Sequence, residues 1–239
     1  MQIRNKAVLI TGANRGIGHA LVKEALARGA TRVYAGTRGA LAIVDERVTP
    51  IMLDVTNAAQ IDRAASIIDT LDILVNNAGV AIHDDLSDAD AIEQHLRVNV
   101  IGSLNMIHAF LPLLNRSKGA IVNILSLAAV APLPIIPSYS ISKAAALSMT
   151  QSLRAYLDPK GVTVHAVFVG PTDTDMNRGF EIPKSPVDAV ARGILDGVEN
   201  GEDDVFPDPM SQSIADAWRG GIAKTLERQN AGFLQESYR

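Results

Sequence analysis

The sequence predicts a doubly wound α/β fold, in which a parallel sheet of about seven strands carries helices on both faces within one domain spanning 1–239. Three observations predict it. Short runs of β-branched and aliphatic residues recur along the chain and are apolar throughout, as expected of strands buried on both faces. Longer segments of helical periodicity separate these runs. The first run also leads at once into a glycine-rich turn and a helix.

Ala7 to Ile10 is the first strand, and Thr11-Gly-Ala-Asn-Arg-Gly-Ile-Gly18 turns it into a helix near 17–29. Strands follow at Arg32 to Ala35, Ile51 to Leu53 and Ile73 to Val75, with a helix at 58–69 before the last of them. One helical stretch at 88–115 leads to a strand at Ala120 to Leu125, and another at 139–157 leads to Val162 to Val169. A helix at 187–199 is expected to start with Ser185 as cap and Pro186 in the first turn. A short strand at Asp204 to Phe206 and a helix from about Ser211 to Arg228 complete the set. No repeat, low-complexity tract or linker is visible.

Composition narrows the function. The formal net charge is -4, without a run of five like charges, which argues against nucleic acid or an anionic membrane as a partner. There are no cysteines, which removes disulfides, thiolate nucleophiles and cysteine metal sites. The five histidines, at 19, 83, 95, 108 and 165, form no carboxylate-backed pair at ligand spacing, so no metal site is expected. His83 is the one histidine within reach of a substrate, but a surface or packing role is the stronger expectation for it. The N-terminus shows no export signal, and the most apolar window, Gly119 to Ile136, is interrupted by Asn123, Ser126, Pro132 and Pro134. A soluble, cytoplasmic protein is expected.

Two motifs carry chemistry. Gly12, Gly16 and Gly18 fall in a turn between a strand and a helix, where glycine lets the backbone approach a pyrophosphate that the helix N-terminus favours. A dinucleotide is the expected ligand. Tyr139 and Lys143 lie one helical turn apart, so both side chains leave the same face. A cation fixed beside a phenol favours the phenolate and brings the tyrosine towards the range useful for acid–base work. Ser126, upstream, could hold a substrate oxygen against that phenol.

With Asn76-Asn-Ala-Gly79 after the fourth strand and Asn99 in a helix, these motifs occur in an order that resembles the short-chain dehydrogenase/reductase family, a Rossmann-like fold, over nearly the whole chain. The resemblance implies Tyr139 as proton donor to a carbonyl, Lys143 as its partner and a ribose ligand, and Ser126 as the carbonyl anchor. It implies that Asn99 joins Lys143 to a proton relay through its backbone and a water. Gly12, Asn14, Arg15, Gly16, Ile17 and Gly18 would hold the dinucleotide phosphates, Asn77, Ala78 and Gly79 its ribose, and Asp54 and Val55 its adenine. The side chain of Asn76 is expected to tie the central strands together. Family members select NAD with an acid at the end of the second strand. Here Thr37 takes that position and Arg38 follows it, so with Arg15 the residues suit a 2′-phosphate and NADP(H) is expected. Gly170, Pro171, Thr172 and Thr174 match the segment that closes on the nicotinamide, although Val169 replaces its usual proline.

The segment at about 175–185 is expected to be a short substrate lid over a pocket lined by Leu133, Ile135, Ile136, Met176 and Phe180, which suits a small neutral carbonyl or alcohol. A carbonyl reductase is the leading expectation. A steroid- or acyl-type alcohol dehydrogenase of the same family and an NADP(H)-sensing regulator without turnover are the alternatives. The helices at 88–115 and 139–157 correspond to those that pair family members across a two-fold axis, so a homodimer or homotetramer is expected.

Overall fold

The computed structural model describes residues 1–237, and in them seven strands form one sheet: β1 (Ala7–Thr11), β2 (Arg32–Thr37), β3 (Val48–Met52), β4 (Ile73–Asn76), β5 (Ala120–Ile124), β6 (Thr163–Val167) and β7 (Asp204–Val205). Their order is β3-β2-β1-β4-β5-β6-β7, and every neighbouring pair is parallel. The helices α1 (Gly16–Ala27), α2 (Ala58–Ile67), α3 (Ala89–Leu96), α4 (Ser103–Ser117), α5 (Pro137–Leu157), α6 (Val187–Glu199), α7 (Pro209–Arg219) and α8 (Ile222–Ser237) follow in chain order.

The apolar runs form strands because both faces of the sheet are covered. Along β1, Val8 and Ile10 pack with Leu21, Val22 and Ile194 on one side, while Leu9 packs with Met106, Ile107 and Phe110 on the other. Each such aliphatic side chain, fully withdrawn from water, contributes roughly 1.5–3 kcal/mol. A smaller cluster closes the far edge, where Phe168 stacks on Phe206 at 5.1 Å between ring centroids and Trp218 leans on it.

Four boundaries differ from the sequence-based expectation. The third strand begins at Val48 rather than Ile51 and contains Pro50, which the ladder tolerates because β3 is the sheet edge. The stretch 88–115 is not one regular helix: α3 and α4 are joined by a π-helical segment, Arg97–Gly102, which contains Asn99. Gly102 is the residue that fits there, since a Cβ would meet Val55 Cγ2 at 2.7 Å. The single helix expected from Ser211 to Arg228 is two, α7 and α8, parted at Gly220 and Gly221. Finally, Ser185 does not cap α6. Pro186 takes the cap position, and the Ser185 backbone pairs with Pro171 and Asp173.

Candidate active site

The chain leaves β1 for one flank of the sheet and β4 for the other, so a crevice opens between their C-terminal ends. Both turns there are built for close approach. Gly12 and Gly16 adopt left-handed φ values of +67° and +54°, and a Cβ on Gly18 would lie 2.2 Å from the Gly12 carbonyl. Arg15 precedes α1 without a side-chain cap, so the first-turn amides of that helix point to the crevice as an anion site. Thr11, which sequence reasoning left out, joins the two turns. Its Oγ1 accepts the amides of Asn77 at 3.0 Å and Ala78 at 2.9 Å, and Asn77 Nδ2 donates back to the Thr11 carbonyl at 2.8 Å.

The other predicted cofactor residues gather round this crevice by different routes. Thr37 Oγ1 is engaged in its own turn with Gly39, and Asn14 faces the same glycine. Arg38, largely exposed, stands 3.8 Å from Asp54, whose other oxygen accepts the amide and hydroxyl of Thr56. Arg15 likewise extends into solvent, 3.6 Å from Asp175. Thr174 sits over Gly16, where a Cβ would meet its methyl at 3.3 Å. Val55 is buried against Gly102 and Ile17 packs on the core, so both can offer a cofactor only their backbone. The turn at Gly170, Pro171 and Thr172 is fixed from outside: Asp208 accepts the Gly170 amide at 2.8 Å while capping α7 through Ser211. The Asp208-Pro-Met-Ser211 run carried that cap signal in the sequence.

Ser126, Tyr139 and Lys143 meet at the end of β5. Ser126 Oγ accepts the Ala128 amide at 3.1 Å, which leaves its own proton to be given elsewhere. Tyr139 is buried with Ala128 and Ile136, so Ile136 packs on the phenol rather than lining an open pocket. Lys143 Nζ donates to the Ile124 carbonyl at 2.7 Å and lies 5.5 Å from the Tyr139 ring centroid. Asn99 ties this cluster to the neighbouring turn: its Oδ1 accepts the Val80 amide at 2.9 Å and its Nδ2 donates to Ser142 at 2.9 Å. Asn76 has the structural task expected of it. Its Nδ2 donates to Asn123 across the central strands at 2.9 Å, and Asn123 donates to Thr150.

The sequence profile of the short chain dehydrogenase family matches residues 6–184. The chain belongs to that family. A short-chain dehydrogenase of Penicillium crustosum is 40% identical over 185 residues, covering 72% of this chain and 68% of the relative. Among solved structures, a short-chain dehydrogenase from Burkholderia cenocepacia in complex with NADP is 40% identical with a TM-score of 0.88, covering 96% of this chain and 98% of that one. An NADPH-bound carbonyl reductase from chicken fatty liver is 29% identical with a TM-score of 0.77, covering 82% and 92% respectively. This short-chain dehydrogenase is an oxidoreductase.

Electrostatics around Tyr139 and Lys143 differ from the expectation. Burial pushes the Tyr139 phenol up to about 12, with the Ser126 hydroxyl opposing in part, while Lys143 gives its hydrogen bond to the Ile124 carbonyl. Burial also lowers Lys143 to about 8. The resting phenol of this dehydrogenase is therefore a protonated acid at neutral pH. His83 packs on Phe180, ring centroids 5.5 Å apart, as the packing reading expected, and buried His95 makes a T-shaped contact with Tyr139, centroids 6.3 Å apart. His95 had no local signal, since its role depends on backbone atoms of Ile82 and Ala91 brought together by the fold.

The residues present fit a phosphorylated dinucleotide. Glycines clear the crevice, the start of α1 is uncapped, and Arg15 and Arg38 are exposed guanidinium groups, a donor set suited to phosphates.

Proposed function

We propose that the protein is an NADPH-dependent reductase of neutral ketones and aldehydes, which also runs as an alcohol dehydrogenase in reverse. The observation that carries this reading is the buried Ser126, Tyr139 and Lys143 cluster beside the glycine-lined crevice, with Tyr139 held as a protonated acid. NADPH, when bound, supplies the hydride. Tyr139 gives its proton to the carbonyl oxygen, and Ser126 donates a hydrogen bond to the same oxygen. Lys143 has three donors, so it can keep Ile124 and still reach a ribose hydroxyl and the phenolate that proton transfer leaves. Asn99, in its π-helical segment, steadies this proton path.

Arg15 and Arg38 bind the 2′-phosphate and Asp54 the adenine. The amides of α1 meet the pyrophosphate, Ala78 and Gly79 give room to the ribose, and the turn from Gly170 to Thr174 takes the nicotinamide carboxamide. The NADP- and NADPH-bound relatives support this choice of cofactor. Replacing Arg38 by Ala is expected to weaken NADPH binding about tenfold or more, since a hydrogen bond to a charged group is worth roughly 1.5–3 kcal/mol. NADH binding should not change. Fluorescence titration of both nucleotides at low salt checks this, and equal losses for the two would remove Arg38 from the 2′-phosphate.

The segment 175–185 serves as a short lid. Leu133, Ile135 and Met176 expose apolar surface, and the Phe180 ring on His83 adds an aromatic wall. Neutral, apolar substrates follow from that lining. The same surface suits a steroid, and the similarity to mouse estradiol 17-beta-dehydrogenase 2, 34% identical over 76% of this chain and 52% of that protein, favours including one as a second reading. Loss of reduced-nicotinamide absorbance with NADPH or NADH tests the whole proposal against a panel of aryl ketones, diketones, aldehydes and keto-steroids. Turnover with NADPH preferred is the expected result; preference for NADH, or tight NADPH binding without turnover of any carbonyl, overturns it. Assembly as a homodimer or homotetramer through the outer faces of α4 and α5, where Ile141 and Tyr156 are exposed, is measured by light scattering.

A further inference from the structure

The first turn of α5 carries Tyr139, yet that turn has no cap of its own. Ile136 in the cap position contributes no side-chain hydrogen bond, and Pro137 has no N–H, so Ser138 bears the first amide that needs an acceptor. Asp84 supplies it from a distant loop. Its Oδ2 accepts the Ser138 amide at 3.3 Å, and its Oδ1 accepts the Ser138 hydroxyl at 2.7 Å and the Leu86 amide at 3.2 Å. Leu86 has a φ of +67°, a left-handed conformation that a leucine adopts only when its surroundings impose it. The loop is held on its other side by His95, whose Nε2 accepts the Ile82 amide at 3.0 Å while its ring makes a T-shaped contact with Tyr139.

We propose that Asp84 is the positioning residue for Tyr139, a cap contributed from the loop after β4 that fixes the first turn of α5 and so the direction of the phenol. The carboxylate is well matched to the task, because a negative charge at a helix start is favoured and three N–H or O–H donors converge on it. Burial acts to raise the Asp84 carboxyl, but the Ser138 hydroxyl and the backbone amides outweigh it and hold the group below its ordinary value, so it stays ionised at neutral pH. Asp84 does not touch reacting atoms. It acts through Ser138, the residue next to Tyr139, and the loop that carries it also places His83 against Phe180.

The proposal rests on the reductase reading, and one set of assays separates the two. Wild-type protein, Asp84→Ala, Asp84→Asn and Ser138→Ala are compared for kcat and KM with NADPH and an accepted carbonyl, and for NADPH affinity by fluorescence. Asp84→Ala is expected to lose about tenfold or more in kcat, since a misplacement of about 1 Å in a reacting group can cost a hundredfold. NADPH affinity should stay at the wild-type value, and the loss should fall on kcat more than on carbonyl KM. Asp84→Asn, which keeps an oxygen acceptor for Ser138, should recover most of the rate, and Ser138→Ala should lose several-fold. If Asp84→Ala does not fold, Ser138→Ala decides. Wild-type kcat in Asp84→Ala or in Ser138→Ala overturns the proposal, as does loss of NADPH affinity in parallel with kcat, which marks general loosening of the site. A wild-type protein that turns over no carbonyl overturns the reductase reading, and with it the role assigned to Asp84.

Discussion

Replacing Tyr139 by Phe should lower carbonyl turnover by about 10²–10⁴-fold, the range of a positioned general acid, while leaving NADPH affinity unchanged. Phenylalanine keeps the ring that packs against Ile136, Ala128 and His95, so the loss reports on the hydroxyl alone. The titration behaviour sharpens this expectation. Because burial holds the phenol up to about 12, the proposed mechanism has its proton donor available throughout the neutral range. Alcohol oxidation needs the phenolate instead, so its rate should rise with pH. Lys143, lowered to about 8 by burial, loses its charge above that value and no longer offsets the phenolate that reduction creates, so reduction should slow there. Rate profiles in both directions check the two signs, and a Tyr139→Phe variant with most of its activity intact would remove the mechanism.

The central architecture was legible because its signals are local. β1, its glycine turn and α1 are contiguous, and the apolar strands announce a sheet covered on both faces. The pairing of Tyr139 with Lys143 on one helical face could be read from spacing alone, but the direction of the Lys143 ammonium could not, since it depends on the Ile124 carbonyl at the end of another strand. The π-helical segment was hidden for a similar reason. Val98, Val100 and Ile101 fit a helical pattern of either kind, and the contact that the segment makes, Gly102 against Val55, joins residues far apart in sequence. Asp84, His95 and Asp208 act on backbone groups far away in sequence, so their own neighbourhoods advertise nothing beyond a loop or a helix start. Gly220 and Gly221 did offer a stop signal between α7 and α8, outweighed in a reading that followed helical periodicity across them.

Replacing Lys224 by Met should destabilise the protein by about 3–5 kcal/mol, the cost of leaving a buried ion cluster with an unbalanced charge. Lys224 is 4% exposed and donates to Asp204 at 2.8 Å and Glu227 at 2.9 Å. Arg154 on α5 pairs with the same two carboxylates, and Trp218 Nε1 donates to Asp204 at 2.8 Å. Arg154 and Lys224 thus fasten α8 to β7 and α5 through Asp204 and Glu227, with the exposed Asp203 3.9 and 3.8 Å away at the rim, and removing one cation leaves the carboxylates sharing Arg154. In a chain of this size the midpoint of thermal unfolding should fall by on the order of 10 °C. The double variant Lys224→Met with Glu227→Leu removes a whole pair and leaves Asp204 matched to Arg154, so it should regain much of the loss. A double variant worse than the single would show that the cost lies in packing rather than in charge. Protonation probes the same cluster: burial acts to raise Asp204, but Arg154, Lys224 and Trp218 outweigh it and hold it below its ordinary value. Its contribution is therefore present above the unfolded carboxyl value of about 3.9 and lost as pH falls through the lower folded one. Urea unfolding followed downward from neutral pH should show wild-type stability declining below about pH 4 more steeply than that of a variant with Asp204 replaced by Asn.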